Sequence, residues 1–304
     1  MCLVTGTRHG FTLIEVMVAL VLFGMVSLVI YQAMVTTQRV TEALDERGAL
    51  QSGLRAGALV VPNELQQLTL GRSGVLDSVS DIRAVTDSSI TYRAMRAFYT
   101  VCATPGSATS VIVVKAEPSG FASEYRIPNS SDSAFVFWEG DTLTAADDQW
   151  IPVGIAAAAA GTCAYPSSPA TSLASYTLTL SGSGIPASFT LAHLYPGAPV
   201  RTYDNVVLSS YGSGGSTWLG MSINGAAIQP IMGPLTSTSG LALTYYDSTG
   251  AALTASAADI PKIRSIGLML RAVTRAPIAT SGRTRAVVSD SMMATITPRN
   301  APRN

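Results

Sequence analysis

From Phe11 to Met34 the chain reads FTLIEVMVALVLFGMVSLVIYQAM, apolar at nearly every position, with Glu15 as its one charge. After Glu15 no charged side chain occurs until Arg39. A helix needs roughly 20 such residues to cross the hydrocarbon core of a bilayer, so 11–34 predicts a transmembrane helix. Beyond Met34 the pattern turns amphipathic. Val40, Leu44, Leu50, Leu54, Ala58 and Val61 recur near helical spacing, and Arg39, Glu42, Asp45, Glu46, Arg47 and Arg55 fill the other face. The helix is therefore expected to continue over 35–70, its apolar stripe against a globular head. Gly48, Gly53 and Gly57 each weaken it by about 1 kcal/mol relative to Ala. Pro62 predicts a kink or a stop, with Asn63 capping a short second helix.

From Gly71 the helical period is lost. Short β-rich stretches alternate with Gly, Ser, Pro and Asp clusters: SSITYRAM, AFYTVCAT, SVIVVKAE, SAFVFWEG, SYTLTLSG, NVVLSSYG, TWLGMSING and LALTYYDSTG. Ile266, Leu268, Leu270 and Ala272 alternate with Gly267, Met269 and Arg271, the pattern of a half-buried strand, and residues 284–298 are its expected partner. The small-residue stretch 154–172 reads as a surface loop, and SSYGSGGSTW (209–218) as a flexible hairpin loop without a phosphate-binding glycine pattern. The expected fold class is α+β: a long N-terminal helix packed on a β-rich antiparallel head over 71–304.

Composition narrows the function. Apolar residues make up 47% and charged residues only 12%, and the 19 basic and 19 acidic side chains cancel, so no global field draws nucleic acid. Arg264, Arg271, Arg275, Arg283, Arg285, Arg299 and Arg303, with Lys262, concentrate near the C-terminal end. Few aromatics accompany them, so they read as solvated strand faces and no nucleic-acid partner is expected. His193 stands alone among apolar neighbours, and neither a nucleophile elbow nor paired metal-ligand spacing occurs. No catalytic residue, metal or cofactor is expected. Asp141, Asp147 and Asp148 form a polar turn that lacks the spacing of a calcium loop. A secretory signal peptide fits poorly, because the apolar run exceeds the usual 7–15 residues and no small-residue cleavage site follows it.

Gly10-Phe11-Thr12-Leu13-Ile14-Glu15-Val16 resembles the class III leader junction of type IV pilins and type II secretion pseudopilins. The resemblance implies a leader at 1–10, cleavage by prepilin peptidase between Gly10 and Phe11, and N-methylation of Phe11. It also implies that Glu15 serves assembly, neutralising the Phe11 amine of a neighbouring subunit. Toward the C-terminal end, PGAPVRTYDNVVLSSYG, LALTYYDSTGAAL, IPKIRSIGLMLRAVT and TITPRN resemble large PilW-type minor pilins and, more distantly, J-type pseudopilins. The expected function is a minor pilin acting in assembly and priming near the pilus tip. The expected partners are prepilin peptidase, other minor and major pilins and the inner-membrane assembly platform.

The expected location is the inner membrane, crossed once with the head in the periplasm, and then the pilus. A J-type pseudopilin and a membrane-tethered periplasmic binding protein or enzyme are the competing readings. Cys2 would leave with the leader, so Cys102 and Cys163 remain as a possible disulfide in an oxidising compartment, or as two separate thiols.

Overall fold

Helix α1 runs unbroken from Leu13 to Gln66 in the computed structural model, which describes residues 12–70, 80–102, 111–116, 128–130, 132–139, 143, 148–161, 175–181, 194–280 and 284–299. The expected break at Pro62 does not occur, because Pro62 lies inside the helix. Its missing N–H forfeits a bond to the Ala58 carbonyl, at a cost of about 3 kcal/mol. The same turn buries Val61 and Leu65 to 1% and 0% exposure, and burial of such side chains stabilises by about 1.5–3 kcal/mol each. The second helix capped by Asn63 is therefore absent. Leu68 and Leu70 continue the buried series beyond the helix end.

Fifteen strands follow among the described residues: β1 Ile82–Val85, β2 Ser89–Val101, β3 Val111–Ala116, β4 Ser133–Trp138, β5 Gln149–Gly161, β6 Ser175–Ser181, β7 Pro199–Ser213, β8 Ser216–Ile223, β9 Gln229–Leu235, β10 Leu241–Tyr246, β11 Ala252–Leu253, β12 Ser265–Val273, β13 Ile278–Ala279, β14 Arg285–Ala286 and β15 Ser289–Ile296. All but β13 and β14 belong to one 13-stranded antiparallel sheet. The fold is thus α+β, a long apolar N-terminal helix followed by a large antiparallel β head.

Strands β2, β3, β6, β5, β4 and β7 pair in that order, and β7 pairs back to β2. The ring closes, giving a six-stranded barrel without free edges. Alternation along five of these strands fills it: Tyr99 and Val101 from β2, Val136 from β4, Ile151, Val153 and Ile155 from β5, Leu178 and Leu180 from β6, and Val200 from β7 belong to one buried cluster. Strands β2 and β7 outrun the barrel. Their far halves pair as Ile90↔Leu208 and Tyr92↔Val206 and start an open sheet that continues through β8, β9, β12 and β10. The last turns of α1 pack on this sheet. A Cβ placed on Gly57 would come within 2.5 Å of Met232 Sδ on β9 and 2.9 Å of Leu270 Cδ1 on β12.

Two expectations about loops need correction. Residues 154–161 are strand, the second half of β5 paired with β6 from Gly154↔Ser181 to Gly161↔Ser175. Alanine and glycine suit this site because the chains approach closely: a Cβ on Gly154 or Gly161 would meet Ser181 Oγ or Thr177 Oγ1 at 2.9 Å. The remainder of that stretch, 162–172, lies outside the described residues. Within 209–218 most residues are also strand, and the turn is only Gly214-Gly215, with φ of 59° and 75°. Two consecutive positive φ values make the tight hairpin turn that glycine favours.

Contacts gather the chain into two compact units, Met1–Gln51 with Thr274–Val288 and Ser52–Val273 with Ser289–Asn304. In the first, residues 274–288 form an arm closed by the Thr274 N–H donating to the Val288 carbonyl at 2.9 Å and by the β13–β14 pair. Glu46 Oε2 accepts from the Arg275 N–H at 2.8 Å, and Arg285 pairs with Glu42 at 3.2 Å.

Candidate functional site

Thr12 opens the N-terminal site. The first N–H groups of a helix have no partner within it. Here the Glu15 N–H donates to the Thr12 carbonyl at 3.1 Å and to Thr12 Oγ1 at 3.4 Å. Thr12 is therefore an N-cap, and Thr12-Leu13-Ile14-Glu15 has the S/T-x-x-E spacing of a capping box. Sequence reading missed this role for Thr12, although the spacing alone signals it. Glu15 lies exposed in the first helical turn, where a carboxylate faces the positive end of the helix dipole. Gly10 and Phe11 lie outside the described residues.

Every residue from Thr12 to Met34 is exposed. A helix this long and apolar near the N-terminus is of the kind that anchors a chain in a membrane. Past Met34, Thr36, Thr37 and Thr41 turn their hydroxyls back onto the carbonyls of Gln32, Ala33 and Thr37 at 2.8, 2.9 and 3.0 Å. Polar side chains thus enter without leaving unpaired hydroxyls where the apolar run ends.

In the β head, the end of α1 meets a polar network. Arg96 sits at a register break in β2. It donates through Nε to Asp204 Oδ2 at 2.8 Å and lies 3.7 Å from Glu64 of the helix. Asn224, held at φ 51°, donates to Asp204 Oδ1 at 2.7 Å. Tyr92, 1% exposed, reaches Glu64 at 3.5 Å, and burial pushes its hydroxyl pKa far up.

On the opposite face of β2, Arg93 is 7% exposed. Its guanidinium lies 4.7 Å and 5.1 Å from the ring centres of Phe135 and Tyr203, and its Nε and Nη1 make no hydrogen bond. Burial lowers its pKa. Nearby Asp81 accepts from the Thr69 N–H at 2.6 Å, and burial raises its carboxyl pKa to about 6 against the pull of that bond, Arg93 and Arg201.

Three side chains of the C-terminal basic cluster are engaged within the chain. Lys262 pairs with Asp259 at 2.8 Å, Arg264 donates to the Pro261 and Ile263 carbonyls, and Arg285 binds Glu42. Arg283 and Arg303 lie outside the described residues, as do His193, Asp141 and Asp147. Asp148 buries Oδ1 without a partner. Among the described residues no group of His, Cys, Asp and Glu could hold a metal ion. Cys102, buried next to the end of β2, is disulfide-bonded. Cys163 lies outside the described residues.

The family model for the prokaryotic N-terminal methylation motif matches residues 6–31, the stretch that Thr12 caps and Glu15 marks. Neither a curated protein nor a solved structure matches the chain. The motif indicates a type IV pilin-like or pseudopilin protein. Proteins that carry it are structural subunits, processed by prepilin peptidase and assembled with other pilins.

Proposed function

We propose that this chain is a minor pilin of a type IV pilus, most like the PilW type, acting in assembly and priming near the tip. The methylation motif at residues 6–31, continuous with a capped apolar helix, carries the reading. In it, 1–10 is a leader, 11–34 crosses the inner membrane, 35–70 extends the helix into the periplasm, and 71–304 is the head. Prepilin peptidase cuts between Gly10 and Phe11, and Phe11 is N-methylated. The assembly platform and the other minor and major pilins are its partners.

Glu15 has two tasks in this scheme. A charged side chain in a membrane helix costs about 2.5–3.5 kcal/mol on insertion scales. The cap reduces that cost within one subunit by placing the carboxylate at the helix N-terminus. Between subunits, Glu15 neutralises the amine that cleavage creates on Phe11, and so fixes the register of neighbouring helices. In the head, we assign Cys163 as the disulfide partner of Cys102.

Mass spectrometry of the N-terminal peptide from native membranes or sheared filaments tests the reading. A peptide beginning at N-methylated Phe11 is expected; an intact leader, or cleavage elsewhere, sinks it. Deletion of the gene then separates the two machines. Loss of surface pili and twitching identifies the pilus, whereas loss of protein secretion with pili intact identifies a J-type pseudopilin.

A further inference from the structure

Strand β12 ends and β15 begins at the register pair Val273↔Ser289. A two-residue turn suffices to join strands that end side by side. The chain instead inserts Thr274–Val288, the arm that lies with the first part of α1 in one compact unit. Its base is a closed step: the Thr274 N–H donates to the Val288 carbonyl at 2.9 Å, and the Val288 N–H donates to Thr274 Oγ1 at 3.1 Å. Further out, Arg285 Nε donates to the Pro277 carbonyl at 2.9 Å and ties the two sides together. The β12–β15 ladder does not need this insertion, so its use is sought on the helix.

The arm grips one side of α1. Glu46 Oε2 accepts from the Arg275 N–H at 2.8 Å and from the Ala276 N–H at 3.5 Å, and Glu42 pairs with Arg285 at 3.2 Å. Glu42 and Glu46 stand one turn apart, so these bonds fall on the same face. Ile278 is 1% exposed, a burial that a two-stranded ribbon does not supply by itself. Ala43 and Glu46 are half-buried, whereas Glu42, Leu44, Asp45 and Arg47 are exposed.

The other side of the helix is bare. At about 100° per residue, Leu44 lies roughly 200° around from both Glu42 and Glu46, and Val40 lies one turn from Leu44. Leu44 and Val40 are 64% and 53% exposed. A shallow groove of about 590 Å³ follows this side back into the apolar run, past Val40, Thr37, Ala33 and Val29, with no charged side chain in its lining.

We propose that the arm is a shield: it keeps neighbouring helices off the Glu42–Glu46 face of α1 and leaves the Val40–Leu44 face as the one on which a second helix packs. The inference rests on the proposed assembly with other pilins. The occupant of the shielded face is the chain's own arm. On the open face, the groove runs into the membrane-spanning stretch, where an added protein segment must be helical to satisfy its backbone. Ala33 and Thr37 there let a second backbone approach closely. A subunit shielded in this way takes a helix on one side at this level and refuses one on the other.

The test places a photo-crosslinking amino acid, p-benzoylphenylalanine, at position 42 or 44 of the full chain in its own cells, and maps the adducts by mass spectrometry. At 44 the expected adduct is the N-terminal helix of another subunit; at 42 it is the chain's own arm. In a variant with 275–287 replaced by Asn-Gly, the closed step at Thr274 and Val288 is kept as a tight turn. There the adduct from 42 to another subunit should rise at least tenfold over the intact chain. Glu46→Ala with Arg285→Ala keeps the arm's length, removes its side-chain grips and should raise the same adduct; circular dichroism checks that both variants remain folded. Equal joining of positions 42 and 44 to other subunits in the intact chain overturns the shield. So does an adduct from 42 to other subunits that rises in neither variant while 44 still reports a neighbour. Lipid alone, or no adduct, at 44 overturns the assembly reading itself, and the shield falls with it.

Discussion

Asp81 is 3% exposed, and its carboxyl titrates near 6 when folded against a reference value of 3.8, chiefly because burial disfavours the anion. Between those values the folded chain holds the proton more tightly than the unfolded chain, so stability falls as pH rises from about 4 to 6. A gap of about two pH units corresponds to roughly 3 kcal/mol. Asp81→Asn keeps an oxygen for the Thr69 N–H and removes the charge. In denaturant titrations of the full chain in detergent, the variant should lose this decline and be the more stable protein at pH 7. A wild-type and a variant curve that run parallel across the interval would remove burial as the controlling effect. Glycine gives a second test at this scale. Gly53 has open space where a Cβ would go, whereas Gly57 faces Met232 and Leu270, both nearly inaccessible. Gly53→Ala should stabilise by about 0.5–1 kcal/mol through helix propensity. Gly57→Ala should destabilise by about 1 kcal/mol, because overpacking of 1–3 kcal/mol exceeds the same propensity gain. Thermal melts that rank the two variants in the opposite order would contradict the packing of α1 on β9 and β12.

At the scale of elements, the register break in β2 determines what its neighbour can do. With Arg96 at the break, its guanidinium meets Asp204, whose side chain is 2% exposed. Removing the partner of a buried charge typically costs 3–5 kcal/mol, and the share retained by the Asn224 bond places Arg96→Ala near the lower end, about 3 kcal/mol. Glu64 is partly exposed and 3.7 Å from Arg96, so Glu64→Gln should cost under about 1 kcal/mol. Equal losses in urea unfolding would mean that the helix contact, not the buried Asp204, dominates the network. This break was illegible in the sequence. SSITYRAM and AFYTVCAT read as two stretches, yet residues 89–95 of the first and 97–101 of the second belong to one strand, β2, because a bulge shifts the alternation without ending it. Ile266 to Ala272 were legible because one face of β12 is buried and the other is not. The alanine run of β5 carried neither signal, since small residues mark close strand approach as readily as a loop.

The whole molecule divides along the same line of legibility. Its N-terminal motif was readable because the methylation motif and the apolar run are both features of local sequence, and the cap at Thr12 belongs to that segment. The head was readable as β-rich and antiparallel, but not as a closed ring, because closure depends on β2 and β7 pairing across more than a hundred residues. The covalent chemistry of the two parts gives one joint prediction. The chain has 3 cysteines, of which Cys2 lies in the proposed leader and Cys102 is disulfide-bonded. With Cys163 as the partner of Cys102, a denatured, unreduced precursor should take up one alkyl group on iodoacetamide treatment, and the mature protein none. Reduction before treatment should raise these to three and two. The bond would close a loop of roughly 60 residues, stabilising the fold by about 4 kcal/mol in the chain-entropy model, so reduction of the mature protein should also lower its urea midpoint. Intact-mass spectra of both forms read processing and pairing together. A mature chain that alkylates without reduction would refute the pairing while leaving cleavage intact, whereas mature protein that retains the mass of residues 1–10 would refute cleavage and leave the disulfide standing.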